Sequence, residues 1–286
     1  MKNDPSSLLK WYQSVGVDPA SLHIVLGSAV GIAFEELPPP KGWMLKDSKN
    51  FAELGFAAAT VQGHKGLFKV LTHAKSGRTL LVQVGRLHGY EGNSPRAVVA
   101  PLVASALAGC ETFLLTNAAG SLKRTFKTGS VMIIKDQVNL TGQNPLYGPN
   151  PTDGAGQAIG PRFPDMSEAY DKKLNAKLKK VLAKAKFKVN EGIYLGLSGP
   201  VFETPSEVAL YSKWGMGSVG MSTVWETIAL RHMGKRVAGF SFISNMGCGL
   251  IPNKKIAHDD VEHEGRKAAA KIVRALFDFA EQEFTK

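Results

Sequence analysis

Residues 83–92, QVGRLHGYEG, follow an apolar run, Thr79-Leu80-Leu81-Val82, and set Arg86, His88 and Tyr90 at alternate positions. In an extended segment, residues i, i+2 and i+4 share a face. A fixed cation, an imidazole and a phenol could therefore converge on one ligand. Other apolar runs end in comparable chemistry: Leu26-Gly27-Ser28, Thr116-Asn117-Ala118-Ala119-Gly120, Ser198-Gly199-Pro200, Met221-Ser222-Thr223 and Ser244-Asn245. Ligands of open α/β sheets sit beyond the carboxyl ends of strands, so one site is expected there.

Gly27-Ser28-Ala29-Val30-Gly31 can offer backbone donors to an anion, although taken alone it reads rather as a plain turn. It matches neither G-x-G-x-x-G nor a P-loop. Thr223 and Glu226 stand at capping-box spacing, which leaves Ser222, just before them, to meet an anion at a helix start. A second helix start has Thr204 as cap, Pro205 at the first position and Glu207 closing the box. Glu203 is then left over, either as a carboxylate at a helix N-terminus or as a ligand group. His258 and His263 are five apart on a helical pattern and face about 140° apart, which argues against a shared zinc. There is no G-x-S-x-G elbow and no close carboxylate pair. The inventory suits a small phosphate-dependent reaction without a metal.

Elements that could hold these groups follow from the apolar periodicity. Short β-rich runs lie at 22–26, 67–71, 79–84, 112–116, 131–134, 193–197, 218–221 and 237–244, and helical patterns at 94–108, 167–185, 205–214, 224–233 and 257–283. The alternation predicts an α/β fold, a single domain over residues 1–286 with a central mixed β-sheet flanked by helices. The long loop from Gly142 to Pro164 is expected to serve a site or a subunit contact, since loops of that length in compact domains are often functional.

The chain has 286 residues, 44% of them hydrophobic, with a net charge of +11. Much of the excess is lysine between Asp171 and Lys188, interleaved with Leu174, Leu178, Val181 and Leu182 at helical spacing. That pattern is an amphipathic surface helix, and it lacks the aromatics of a nucleic-acid stacking platform. Cys110 and Cys248 have no paired spacing, so a cytoplasmic location without disulfides is expected, and no run has the length of a membrane span. Neither nucleic acid nor membrane is expected as a partner.

Taken together, "GRLHGYEG", "TNAAGSL", "DQVNLTGQNPLYGPN", "PRFPDMSEAYD", "GPVFETPSE", "VGMSTVWE", "SNMGCG" and "AHDDV", with Gly27-Ser28 and Gly63-His64, resemble the trimeric class of purine nucleoside phosphorylases over nearly the whole chain. That family cleaves the N-glycosidic bond of a purine nucleoside with inorganic phosphate, needing no cofactor. The resemblance implies phosphate among Ser28, His64, Arg86, His88, the backbone of Ala118, and Ser222. It implies ribose at Tyr90, Met221, His258 and Phe202, with Phe163 lent by a neighbouring subunit of a homotrimer. The base falls to Glu203, Asn245, Phe202, Val219 and Ser244, with Asn245, Glu203 and His88 as the catalytic set. A carboxylate at Glu203 accepts from N1–H of a 6-oxopurine, so inosine and guanosine are expected over adenosine. Glu203 with Asn245 argues against the nearest alternative, a 5′-methylthioadenosine phosphorylase. The chain departs from the family's commoner forms at Ala29, Ser121, Ser244 and Trp225, the last standing for a proline beside Ser222, where it would either shift phosphate geometry or fill surface space, the second being the expectation.

Overall fold

The computed structural model describes residues 4–27, 30–61, 65–252 and 258–285, with backbone alone at 32, 33 and 258–262. In chain order the elements are α1 (Ser6–Ser14), β1 (Leu22–Leu26), α2 (Val30–Glu36), β2 (Trp43–Asn50), β3 (Leu67–His73), β4 (Thr79–Val84), α3 (Pro95–Leu107), β5 (Thr112–Ser121), β6 (Val131–Asn139), α4 (Lys172–Lys184), β7 (Val189–Gly196), α5 (Pro205–Lys213), β8 (Ser218–Gly220), α6 (Val224–His232), β9 (Arg236–Met246) and α7 (His258–Phe284).

Nine strands form one sheet in the order β2-β3-β4-β1-β5-β8-β7-β6-β9, and β5 also pairs with β9, so its last five strands close on themselves. The sheet is mixed, as expected. β4, β1, β5 and β9 run parallel side by side, whereas β8 runs antiparallel to β5 and β6 antiparallel to β9. The central strands are buried on both faces, which explains their unbroken apolar runs. Alternate residues of β1 show how: Val25 joins a core with Trp11, Leu102 and Phe113, while Ile24 and Leu26 join a second with Leu178, Phe240 and Ile272.

Three elements lay outside the sequence expectation. β2, with the sequence WMLKDSKN, is a half-exposed edge strand, and its polar residues hide the strand period. α1 and α2 are short helices; α1 buries Leu8, Trp11 and Tyr12 at i, i+3 and i+4. β5 was expected to stop at Thr116, but it runs on to Ser121, because Asn117 to Ser121 pair with β9 and Gly120 pairs with Val219 of β8. α4 begins at Lys172 rather than at 167, because extended Asp171 caps it by accepting from the Leu174 N–H at 2.9 Å. Its lysines lie outward, several of them paired with Glu168, Glu191, Asp278 and Glu283. No helix among the described residues is long and apolar enough to cross a membrane.

Candidate active site

A cavity of about 320 Å³ opens where β4, β5 and β9 end and β8 turns into α6. Eleven of the residues singled out from sequence line it: Arg86, His88, Tyr90, Ala118, Phe202, Glu203, Val219, Met221, Ser222, Ser244 and Asn245. Ser28 and His64 lie outside the described residues, as does the side chain of His258, which opens α7. Phe163 does not line the cavity. It is 87% exposed on the long loop, with the Arg162 guanidinium 5.5 Å from its ring centroid.

Arg86 is 2% exposed and held in a bidentate pair, Nε to Glu226 Oε1 at 3.0 Å and a terminal nitrogen to Oε2 at 3.1 Å. Its other terminal nitrogen donates to the Thr116 carbonyl at 2.6 Å. Three fixed contacts leave the guanidinium plane no freedom, which suits a fork that must meet an oxyanion in one orientation. The capping-box expectation for Thr223 and Glu226 is therefore wrong, because Glu226 is occupied by Arg86. Thr223 makes no capping bond and instead has φ 73° and ψ −46°. With Val224 N–H donating to the Ser222 carbonyl at 2.8 Å, residues 222–224 form a strained classic γ-turn. It is braced by Asn117 Nδ2, which donates to Thr223 Oγ1 at 2.9 Å, and by the Ser222–Thr223 hydroxyl contact at 3.1 Å. The turn sends Ser222 into the cavity while the chain behind it starts α6.

His88 is extended, but Tyr90 lies in a single 3₁₀ turn, Gly89–Glu91, so the three groups of "GRLHGYEG" do not share one straight strand face. They still converge, since the turn stacks Tyr90 on His88 with centroids 4.6 Å apart. Glu91, not singled out from sequence, orients the imidazole by accepting from the His88 N–H at 2.8 Å and meeting Nδ1 at 3.0 Å. Its second oxygen accepts from the Thr60 N–H and hydroxyl at 2.8 and 2.7 Å. Partial burial works against this carboxylate's charge, but the hydrogen bonds outweigh it and hold Glu91 at about 2. Burial, with help from the Arg86 charge, pushes the His88 imidazole below its ordinary value against the pull of Glu91, so it is neutral near pH 7. Burial also raises the Tyr90 phenol to about 12.

Across the cavity, burial raises the Glu203 carboxyl above its ordinary range. Thr204 caps α5 and closes a capping box with Glu207 as expected, leaving Glu203 to the cavity. Asn245 Oδ1 accepts from Ser244 Oγ at 2.9 Å, and its Nδ2 donates to the Met246 carbonyl at 3.2 Å. The Met246 carbonyl, which can only accept, thus fixes which way the amide points. Trp225 does not fill surface space: it is 7% exposed, and its Nε1–H donates to Thr141 Oγ1 at 2.9 Å.

Sequence reading missed Glu91, Asn117, Thr223 and Glu226 as parts of the site. A signal existed for two of them. Glu91 stands three residues from His88, and an arginine bound for a buried strand end requires a buried counter-charge.

Residues 42–278 match the family model described as the phosphorylase superfamily. The chain belongs to that superfamily, and its relatives place it among the purine nucleoside phosphorylases. Purine nucleoside phosphorylase 1 of Bacillus subtilis is 37% identical over 88% of this chain and 90% of its own length. The purine nucleoside phosphorylase of Rattus norvegicus is 36% identical over 92% and 89%. Among solved structures, the Schistosoma mansoni purine nucleoside phosphorylase in complex with inosine superposes with a TM-score of 0.82 at 27% identity, covering 98% of both chains. The same protein is also seen in complex with adenosine, at a TM-score of 0.83.

Proposed function

We propose that this protein is a purine nucleoside phosphorylase, a pentosyltransferase that cleaves 6-oxopurine ribonucleosides and deoxyribonucleosides with inorganic phosphate and serves purine salvage. The observation that carries this reading is one cavity with Arg86, His88 and Ser222 among its lining and Glu203 and Asn245 beside them. The first three suit an oxyanion; the last two suit the edge of a 6-oxopurine.

In the proposed reaction a phosphate oxygen attacks C1′ of the ribose as the C1′–N9 bond breaks. The bonding pair leaves with the purine, which takes up the proton given up by the attacking hydrogen phosphate, and the products are free base and (deoxy)ribose 1-phosphate. Positive charge builds on the sugar and negative charge on the base, so phosphate serves as both counter-anion and nucleophile. Positioning it can supply about 7–11 kcal/mol of the barrier. Arg86, His88, Ser222 and the Ala118 backbone hold phosphate, with Ser28 and His64 completing that set. Tyr90, Met221, His258 and Phe202 hold ribose, with Phe163 of a neighbouring subunit closing it. Asn245 donates to N7 or O6 as the base gathers charge, and Glu203 accepts from N1–H. Phe202, Val219 and Ser244 complete the base contacts.

This reading includes no cofactor or metal, a homotrimer, residues 1–286 as one domain, and a cytoplasmic location. It also includes inosine and guanosine over adenosine. Adenine presents a lone pair at N1 toward Glu203, and such polar mismatches can discriminate by about 10⁴- to 10⁵-fold in turnover. The test follows free base from inosine, guanosine, adenosine and methylthioadenosine, with and without phosphate. Phosphate-dependent release from the first two is expected. Release from adenosine or methylthioadenosine alone would overturn the substrate assignment.

A further inference from the structure

Trp225 touches both arms that border the proposed phosphate position. It lies in the first turn of α6, three residues after Ser222, and its ring edge covers Gly89, between His88 and Tyr90. A Cβ on Gly89 would sit 2.6 Å from Trp225 Cη2 and 3.0 Å from Cζ3, so only glycine allows this approach. On the other side the indole donates to Thr141, whose hydroxyl lies 2.6 Å from Asn139 Oδ1 and whose carbonyl accepts from Ser198 Oγ at 2.7 Å. The crevice bordered by His88, Gly89, Thr141, Ser222 and Trp225 holds about 10 Å³. The indole therefore fills the space behind the two arms almost completely.

The arms come from distant parts of the chain, and nothing in the local sequence of either sets their separation. A tryptophan wedged between them, with only two side-chain torsions, can fix that spacing at little entropic cost. Fixing it before phosphate arrives lowers the ordering cost of binding. We propose that Trp225 is a positioning residue for phosphate, holding the His88 arm and the Ser222 arm at a set spacing and anchoring both to the 139–143 segment through Thr141. This inference rests on the phosphorylase reading and deepens it. The indole lines the adjoining crevice with His88 and Ser222, whereas Trp11, Trp43 and Trp214 line neither that crevice nor the cavity. Phosphate entry should therefore change tryptophan emission through Trp225 alone.

The experiment measures KM for phosphate and for inosine separately, kcat, and phosphate-dependent emission, in the full-length wild type and in Trp225→Phe, Thr141→Val, Gly89→Ala and Gly89→Ala/Trp225→Leu. Loss of the indole hydrogen bond in Trp225→Phe or Thr141→Val should raise phosphate KM about five-fold, with inosine KM and kcat within about two-fold of wild type. Gly89→Ala should raise phosphate KM further, and Trp225→Leu in that background should restore part of the loss. The emission change should vanish in Trp225→Phe. Unchanged phosphate KM in both hydrogen-bond variants, or an equal rise in both KM values tracking a lower Tm, would overturn the inference while leaving the phosphorylase reading intact. Phosphate-independent base release by the wild type would overturn that reading and the inference with it.

Discussion

Arg86 and Glu226 show what a buried charge requires at the scale of single residues. The pair is 2% and 1% exposed, so neither member can lose the other to water. Removing one partner of such a pair costs about 3–5 kcal/mol. Glu226→Ala should lose roughly that much in urea denaturation, and adding Arg86→Ala to it should recover part of the loss, because no unpaired cation then remains. Arg86→Ala alone should raise phosphate KM steeply, and an unchanged phosphate dependence would remove Arg86 from the site. Asn245 sets the other residue-scale prediction. Its Nδ2 is the donor side of an amide oriented by the Met246 carbonyl, so Asn245→Asp should supply an acceptor for a 6-amino group. The ratio of adenosine to inosine turnover should rise in that variant, and no rise would contradict this account of base selectivity. At this scale the sequence was legible wherever a group was unexplained by local structure, as with Glu203 beside its own helix cap. It was not legible where a residue had a sufficient local explanation, as with Glu226, whose capping-box spacing concealed a partner 140 residues away.

At the scale of elements, the site depends on how strands stop and helices begin. The γ-turn at Thr223 is the sharpest case. A β-branched residue at φ 73° costs about 1–3 kcal/mol. Thr223→Gly relieves that strain but adds about 1 kcal/mol of unfolded-chain entropy and deprives Asn117 of its acceptor, worth about 1 kcal/mol. These effects nearly cancel, so Tm should move little while phosphate KM rises several-fold. A large gain in Tm with unchanged phosphate KM would show that the turn does not serve Ser222.

β1 carries a different consequence. His23 is buried in it against Phe68 and Phe113, and burial lowers its pKa from 6.5 to about 3. The unfolded chain therefore binds a proton there that the folded chain does not. Its stabilising contribution is complete above about pH 6.5 and falls by about 1.4 kcal/mol per pH unit below that, down to about pH 3. Urea midpoints at pH 7 and pH 5 should converge in His23→Leu relative to wild type, with His88 and His232, shifted in the same direction, leaving a residual slope. Equal slopes in both proteins would contradict it. The central strands and long helices were legible because burial on both faces writes unbroken apolar runs. β2 was not, because an edge strand writes its polarity instead, and β5 looked finished at Thr116 because Asn117-Ala118-Ala119-Gly120-Ser121 reads as a turn until β8 and β9 pair with it.

At the scale of the whole molecule, the ring of Phe163 stands exposed on the 142–164 loop and lines no part of its own chain's cavity. If the proposed homotrimer lends that ring across a subunit contact to a neighbour's ribose position, Phe163→Ala should raise inosine KM without lowering Tm. Mixing Phe163→Ala chains with Glu203→Ala chains should restore activity, because hybrid trimers contain sites with an intact Glu203 and a neighbour's intact Phe163. No restoration, or a monomer in sedimentation, would remove the shared site. The order of motifs along the chain was enough to read the family and the fold. The spacing between distant arms, held by Trp225, Glu226 and Asn117, was written only in three dimensions. The most direct measurement of the central claim is the stoichiometry of the reaction with inosine. One ribose 1-phosphate should form for each hypoxanthine released, with no release when phosphate is withheld. Hypoxanthine released with free ribose in the absence of phosphate would show a hydrolase and contradict the account.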